Sequence, residues 1–178
     1  RKNVSENMEG YVMLKFDWDI LKDLRLSATG NVRGGNTNNV WFNPPVFTEG
    51  GDKWNGEGGV SDNNFASFTG DAYLTYDKTF SDIHHLSIMA GTSLEDAIYK
   101  GSDITGRDFQ NTILKEENLA GAGTKLVNNY RSETVLESYF SRVNYALNNR
   151  YLFTLTARAD GTSKFGANGK WAYFPSAA

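Results

Sequence analysis

The sequence predicts an all-β fold, an antiparallel transmembrane β-barrel segment of about seven strands, and three observations predict it. Runs of about ten residues alternate apolar and polar with the period of two that a strand imposes. The links between runs are sorted, short then long, as periplasmic turns and extracellular loops alternate in membrane barrels, and a soluble sandwich has no reason to sort them so. No run of about 18 apolar residues offers a transmembrane helix, whereas a tilted barrel strand needs only about 9 to 11 residues.

The first run, residues 10–20, sets Val12, Leu14, Phe16, Trp18 and Ile20 against Tyr11, Met13, Lys15, Asp17 and Asp19. A short turn over residues 21–24 leads to Leu24, Leu26, Ala28, Gly30 and Val32, opposed by Arg25, Ser27, Thr29, Asn31 and Arg33. Residues 34–64 break the alternation with paired glycines, asparagines and Pro44-Pro45, so a long loop is expected. Its aromatics Trp41, Phe42, Phe47 and Trp54 are candidates for a sugar- or peptide-facing platform, against the plainer expectation that a compact loop packs its own rings.

Alternation returns over residues 68–80, where Phe68, Gly70, Ala72, Leu74 and Tyr76 oppose Thr69, Asp71, Tyr73, Thr75 and Asp77. After a turn near Ser81-Asp82, Leu86, Ile88, Ala90, Thr92 and Leu94 oppose Ser87, Met89, Gly91, Ser93 and Glu95. Residues 97–134 read as a second long loop, with any short helix near residues 115–119 a local addition.

Two further runs form a hairpin around Leu147-Asn148-Asn149-Arg150. Tyr139, Ser141, Val143 and Tyr145 oppose Ser138, Phe140, Arg142 and Asn144, and Tyr151, Phe153, Leu155, Ala157 and Ala159 oppose Thr154, Thr156, Arg158 and Asp160. Tyrosines near the ends of the apolar side suggest an aromatic girdle. A seventh strand begins near Trp171.

Composition excludes some chemistry. Without cysteine there is neither a disulfide framework nor a thiolate metal site. A net charge of −3 with scattered Lys and Arg gives no basic surface for nucleic acid. His84-His85 lacks partners at ligand spacing, so no metal site is expected; the Asp52 to Asp62 stretch departs from a calcium-loop pattern. Gly161-Thr-Ser-Lys-Phe-Gly166 lacks the end a phosphate loop requires and reads as a turn. Carboxylate pairs carry no geometry for acid–base work, so an enzyme is not expected.

Residues 137–176 carry more. Glu137-Ser-Tyr-Phe-Ser-Arg-Val-Asn-Tyr145, Arg150-Tyr-Leu-Phe-Thr154, Arg158-Ala-Asp-Gly-Thr-Ser-Lys-Phe-Gly166 and Lys170-Trp-Ala-Tyr-Phe-Pro-Ser176 resemble, without a gap, the SusC/RagA-type TonB-dependent outer-membrane transporters. The residues that carry the match are Arg158, Asp160, Gly161, Ser163, Phe165, Gly166, Trp171, Phe174 and Pro175. Departures are mild: Thr162 for a second serine, Ser141 for glycine, Gly169 for a polar residue.

The resemblance implies that residues 1–178 are part of a larger barrel of about 22 strands, with plug and TonB-contacting regions elsewhere in a longer protein, in keeping with a start that lacks a signal-like apolar core and an end in mid-strand. It implies residence in the outer membrane of a Gram-negative bacterium, in contact with its lipid. It also implies TonB-driven uptake of glycans, oligopeptides or other large nutrients with a SusD-like surface lipoprotein, and no cofactor. Arg25, Arg33, Asp71, Arg142, Arg158 and Asp160 would face the lumen, in ion pairs with neighbouring strands or in contact with solute. Two rival readings are a non-energised porin-like barrel and a soluble β-sandwich that binds carbohydrate through Trp41 and Trp54; a plug domain upstream separates the first, detergent-free solubility the second.

Overall fold

A computed structural model describes residues 1–45, 53–164 and 169–178. Seven strands form one antiparallel sheet in chain order: β1 (Lys2–Leu21), β2 (Leu24–Asn43), β3 (Glu57–Phe80), β4 (His84–Phe109), β5 (Ala122–Leu147), β6 (Tyr151–Thr162) and β7 (Trp171–Ala177). A short 3-10 helix, η1 (Lys115–Gly121), stands between β4 and β5. No second sheet packs on this one among the described residues, so the sandwich reading is set aside.

The three tight turns fall where the sequence places them, and two of them show a local cause. Ser81, Asp82, Asn148 and Asn149 all take positive φ, a conformation that short polar side chains tolerate best. The Arg150 N–H donates to the Leu147 carbonyl at 3.0 Å and closes the last of them.

The long links are shorter than the sequence predicts. Residues 34–43 and 57–64 continue β2 and β3, and residues 97–109 and 122–134 continue β4 and β5, so strands reach 20 to 26 residues. These stretches are rich in Asn, Gly, Ser and Thr and show no apolar alternation, because the ladder of a neighbouring strand holds most of their length and burial is concentrated in a few residues such as Phe42, Phe109 and Ala122. The predicted helix near residues 115–119 is present as η1.

The chain divides into two compact units. One comprises Arg1–Gly10, Gly34–Ala66 and Ile98–Ser132, the other Tyr11–Arg33, Ser67–Ala97 and Glu133–Ala178. The first holds a small core in which Phe42 and Phe109 meet edge to face at 5.4 Å with Ala122 and Leu119 beside them. Each phenylalanine, 1% exposed, contributes about 1.5–3 kcal/mol by its burial. Gly56, at φ +92, turns the chain against both rings, and the Asn55 side chain donates to the Phe109 carbonyl at 3.1 Å. Lys2 on β1 pairs with Glu116 on η1, whose side chain is 2% exposed.

In the second unit no described apolar side chain except Ala97 is fully buried. Its order comes from hydrogen-bonded ladders and from two faces of opposite chemistry. Val12, Leu14, Phe16 and Trp18 of β1 all stand open.

Candidate transport wall

The register of β5, β6 and β7 shows how the two faces arise. Tyr139 stands opposite Ala159, Ser141 opposite Ala157, Val143 opposite Leu155 and Tyr145 opposite Phe153. Across the next ladder Ala159 meets Tyr173, Ala157 meets Pro175 and Leu155 meets Ala177. Because directly opposed residues share a face, these side chains form one apolar surface. Leu155 is 58% exposed on it, an arrangement that water disfavours and lipid does not.

Rings mark its two ends. Towards the turns, His84, Tyr145 and Phe153 stack in a row, 6.0 and 6.4 Å between centroids, and His84 Nδ1 lies 2.6 Å from the Tyr145 hydroxyl. At the other end Tyr139 stacks on Trp171 at 5.8 Å. The registers put Tyr145 and Tyr139 six residues apart on β5, roughly 20 Å along the strand, which at a barrel tilt of about 40° is roughly 15 Å along the axis and fits within a lipid-facing band about 25 Å tall.

The alternate residues form the polar face. Ser138 opposes Asp160, Phe140 opposes Arg158, Arg142 opposes Thr156 and Asn144 opposes Thr154. Arg158 Nε donates to both Asp160 oxygens at 2.7 and 3.0 Å, and its Nη2 donates to Ser138 Oγ at 3.1 Å. A hollow of about 550 Å³ opens here, with Arg142, Arg158 and Asp71 at its sides and Phe140, Phe174 and Met89 supplying apolar patches. At the β1–β2 turn the same kind of face carries Arg25, whose Nε donates to Asp19 at 2.6 Å, and Ser27, which donates to Asp17 at 2.6 Å. Arg33 lies on β2, exposed.

The loop aromatics separate. Phe42 is enclosed in the small core, while Trp41, on β2, lies with Asn43 beside the first residues of β1. Trp54 has the Arg107 guanidinium 4.7 Å above its ring, and Arg107 Nε donates to Glu57 at 2.7 Å. Phe47, Phe165 and Gly166 lie outside the described residues.

Comparison with known proteins supplies what geometry alone does not. The chain is 35% identical over 162 residues to TonB-dependent receptor P3 of Formosa agariphila, covering 90% of this chain and 16% of the relative. It is 30% identical over 175 residues to the TonB-dependent receptor SusC of Bacteroides thetaiotaomicron, covering 98% of this chain and 17% of that one. The chain belongs to the SusC-type TonB-dependent receptor family. In fold it superposes on a chain of the RagAB peptide transporter with a TM-score of 0.86 at 21% identity, over 99% of this chain and 20% of that one. No protein-family model matches. The chain spans about a sixth of the length of these curated relatives.

Several residues that resemble the SusC family pattern have visible structural work. Trp171 stands opposite Gly161, and a Cβ on that glycine would sit 2.9 Å from the indole, so only glycine lets the ring lie across β6. Ser163 fastens the end of β6 to β5: its N–H donates to the Val135 carbonyl and its Oγ accepts from the Val135 N–H, both at 2.9 Å. Phe174 and Pro175 line the hollow beside Arg158. Sequence reasoning set Ser138 on the polar face but did not single it out; it is 1% exposed and stands opposite Asp160, a burial that a lone serine in an alternating run does not signal.

Proposed function

We propose that this chain is part of the wall of an outer-membrane importer of the SusC type, with its apolar face against lipid and its polar face toward a lumen. The observation that carries the reading is the register of β5, β6 and β7, which sorts exposed side chains into one apolar and one polar surface on a single sheet. In a closed barrel both surfaces meet the solvent they suit. The turns at Lys22, Ser81 and Asn148 then lie on the periplasmic side, and the β2–β3 and β4–β5 links lie outside the cell.

In the complete protein, uptake of glycans, oligopeptides or other large nutrients is driven by TonB through regions not contained in residues 1–178, and a SusD-like surface lipoprotein closes the extracellular mouth. Kinship with SusC and likeness in fold to a chain of the RagAB peptide transporter support this reading. Arg25, Arg33, Asp71, Arg142, Arg158 and Asp160 face the lumen in it.

Energised uptake is the test. Cells expressing the full-length protein should accumulate its nutrient, and loss of TonB or addition of a protonophore should stop accumulation. Uptake that continues unchanged under both treatments is porin behaviour and would overturn the reading.

A further inference from the structure

The first unit carries aromatic rings seated flat on glycines of neighbouring strands. The Tyr130 ring of β5 lies across Gly101 of β4 so closely that a Cβ there would collide with it. Its hydroxyl donates to Asn63 Oδ1 at 2.6 Å, and Asn63 Nδ2 donates to Ser61 at 2.9 Å. Tyr99, two residues before Gly101 and on the same face of β4, stacks beside Phe65 of β3 at 6.2 Å and 24°. Phe65 in turn lies across Gly35 of β2, where a Cβ would sit 2.6 Å from Cε1.

Packing explains why the rings lie down. Tyr99 and Tyr130 are 50% and 47% exposed on this sheet. Strand glycine costs roughly 0.5–1 kcal/mol relative to alanine, and the sequence accepts that cost at two neighbouring seats to keep an aromatic plane level.

We propose that Tyr99, Tyr130 and Phe65 form a stacking site for a neutral oligosaccharide, an inference that rests on the transport reading and deepens it. A level aromatic plane matches the C–H face of a pyranose, and amides and hydroxyls at its border match the sugar's hydroxyls. Asn63 keeps one amide hydrogen beyond its bond to Ser61, and the Tyr99 hydroxyl can donate or accept. The polar partner seen at the Tyr130 hydroxyl, Asn63, is an uncharged amide, which suits a sugar hydroxyl better than a uronate or a peptide terminus.

The ligand is an oligomer because the device repeats. Trp41 follows Gly35 by six residues on the same face of β2, roughly 20 Å along the strand. Its indole lies against Gly59, where a Cβ would sit 2.9 Å from Nε1. Gly59, Ser61, Asn63 and Phe65 alternate along one face of β3, so one extended chain spans both seats.

Calorimetry on the full-length protein in detergent tests the site with neutral hexasaccharides of glucan, mannan and xylan type, an oligogalacturonate and a mixed-sequence octapeptide. At least one neutral hexasaccharide should bind, more tightly than its disaccharide. Tyr99→Ala and Tyr130→Ala should each weaken it about tenfold, and Tyr130→Phe, which keeps the ring, less than about threefold. Binding of only the octapeptide or the oligogalacturonate, no binding at all, or unchanged affinity in both alanine variants with wild-type melting would overturn the site. TonB-dependent uptake of some other solute by a protein that binds no hexasaccharide would sink the site and leave the transport reading standing. Hexasaccharide binding that both alanine substitutions weaken, in a protein whose uptake ignores TonB, would support the site and sink the transport reading.

Discussion

Arg158 holds Asp160 along its own strand, its Nε at 2.7 and 3.0 Å from the two carboxylate oxygens, and reaches across to the buried Ser138 at 3.1 Å. One guanidinium thus satisfies groups on two strands of the polar face. Arg158→Ala in the full-length protein should cost about 1–3 kcal/mol, because Asp160 and Ser138 lose their donor together. Arg158→Lys should recover only part of that, since an ammonium lacks the planar fork. Thermal unfolding in detergent, followed by loss of heat-modifiable migration on gels, measures both.

Gly91 tests the seating of rings in the second unit. A Cβ there would lie 2.5 Å from the Ala72 carbonyl oxygen and from Tyr73 Cβ, and 2.9 Å from the Phe140 ring. Backbone cannot step aside, so Gly91→Ala should destabilise the full-length barrel by about 1–3 kcal/mol. Gly10→Ala, with nothing within 4 Å, should leave the same melting curve within error.

These seats also show what the sequence conceals. The faces of residues 10–33, 68–95 and 137–160, and the three tight turns, were legible because alternation and turn chemistry are local. Gly35, Gly58, Gly59 and Gly101 read locally as loop punctuation, yet they sit inside strands because a ring or chain from elsewhere comes close. Asn36 is similar: its amide donates to Asp62 and Asn64 on β3, a pairing no local window contains. Of the candidate site residues, Arg158 and Asp160 could be placed on one face from spacing alone. The burial of Phe42 against Phe109 depends on a contact between distant stretches, which period cannot supply.

The pair of Lys2 and Glu116 gives the first unit a pH dependence. Burial pushes the Glu116 carboxyl up, but the hydrogen bond and charge of Lys2 outweigh it and leave the group below its usual range; Lys2 is raised by the same hydrogen bond. A lowered carboxyl contributes stability that is complete above its unfolded pKa, about 4.3, and is lost as pH falls through the native value. The raised lysine contributes below about 10.4 and is lost as pH rises through its native value. Hydrogen exchange at the η1 amides should therefore be slowest relative to intrinsic rates between these limits and quicken on the acid side. Lys2→Ala should remove that acid-side dependence and loosen η1 at neutral pH.

The central claim is that neighbouring residues of one strand meet opposite solvents, and Leu155 and Thr156 test it most directly. Leu155 stands opposite Val143 and Ala177, Thr156 opposite Arg142 and Ser176. Arginine at a lipid-facing mid-bilayer position costs about 2–4 kcal/mol, so Leu155→Arg should destabilise the full-length protein in bilayers and Thr156→Arg should do so far less. The decisive measurement is a nitroxide label at each position in lipid vesicles. The label at 155 should relax with dissolved oxygen and ignore a water-soluble nickel chelate, and the label at 156 should be shielded from the lipid-borne quencher. Equal shielding of both labels from lipid would contradict the claim.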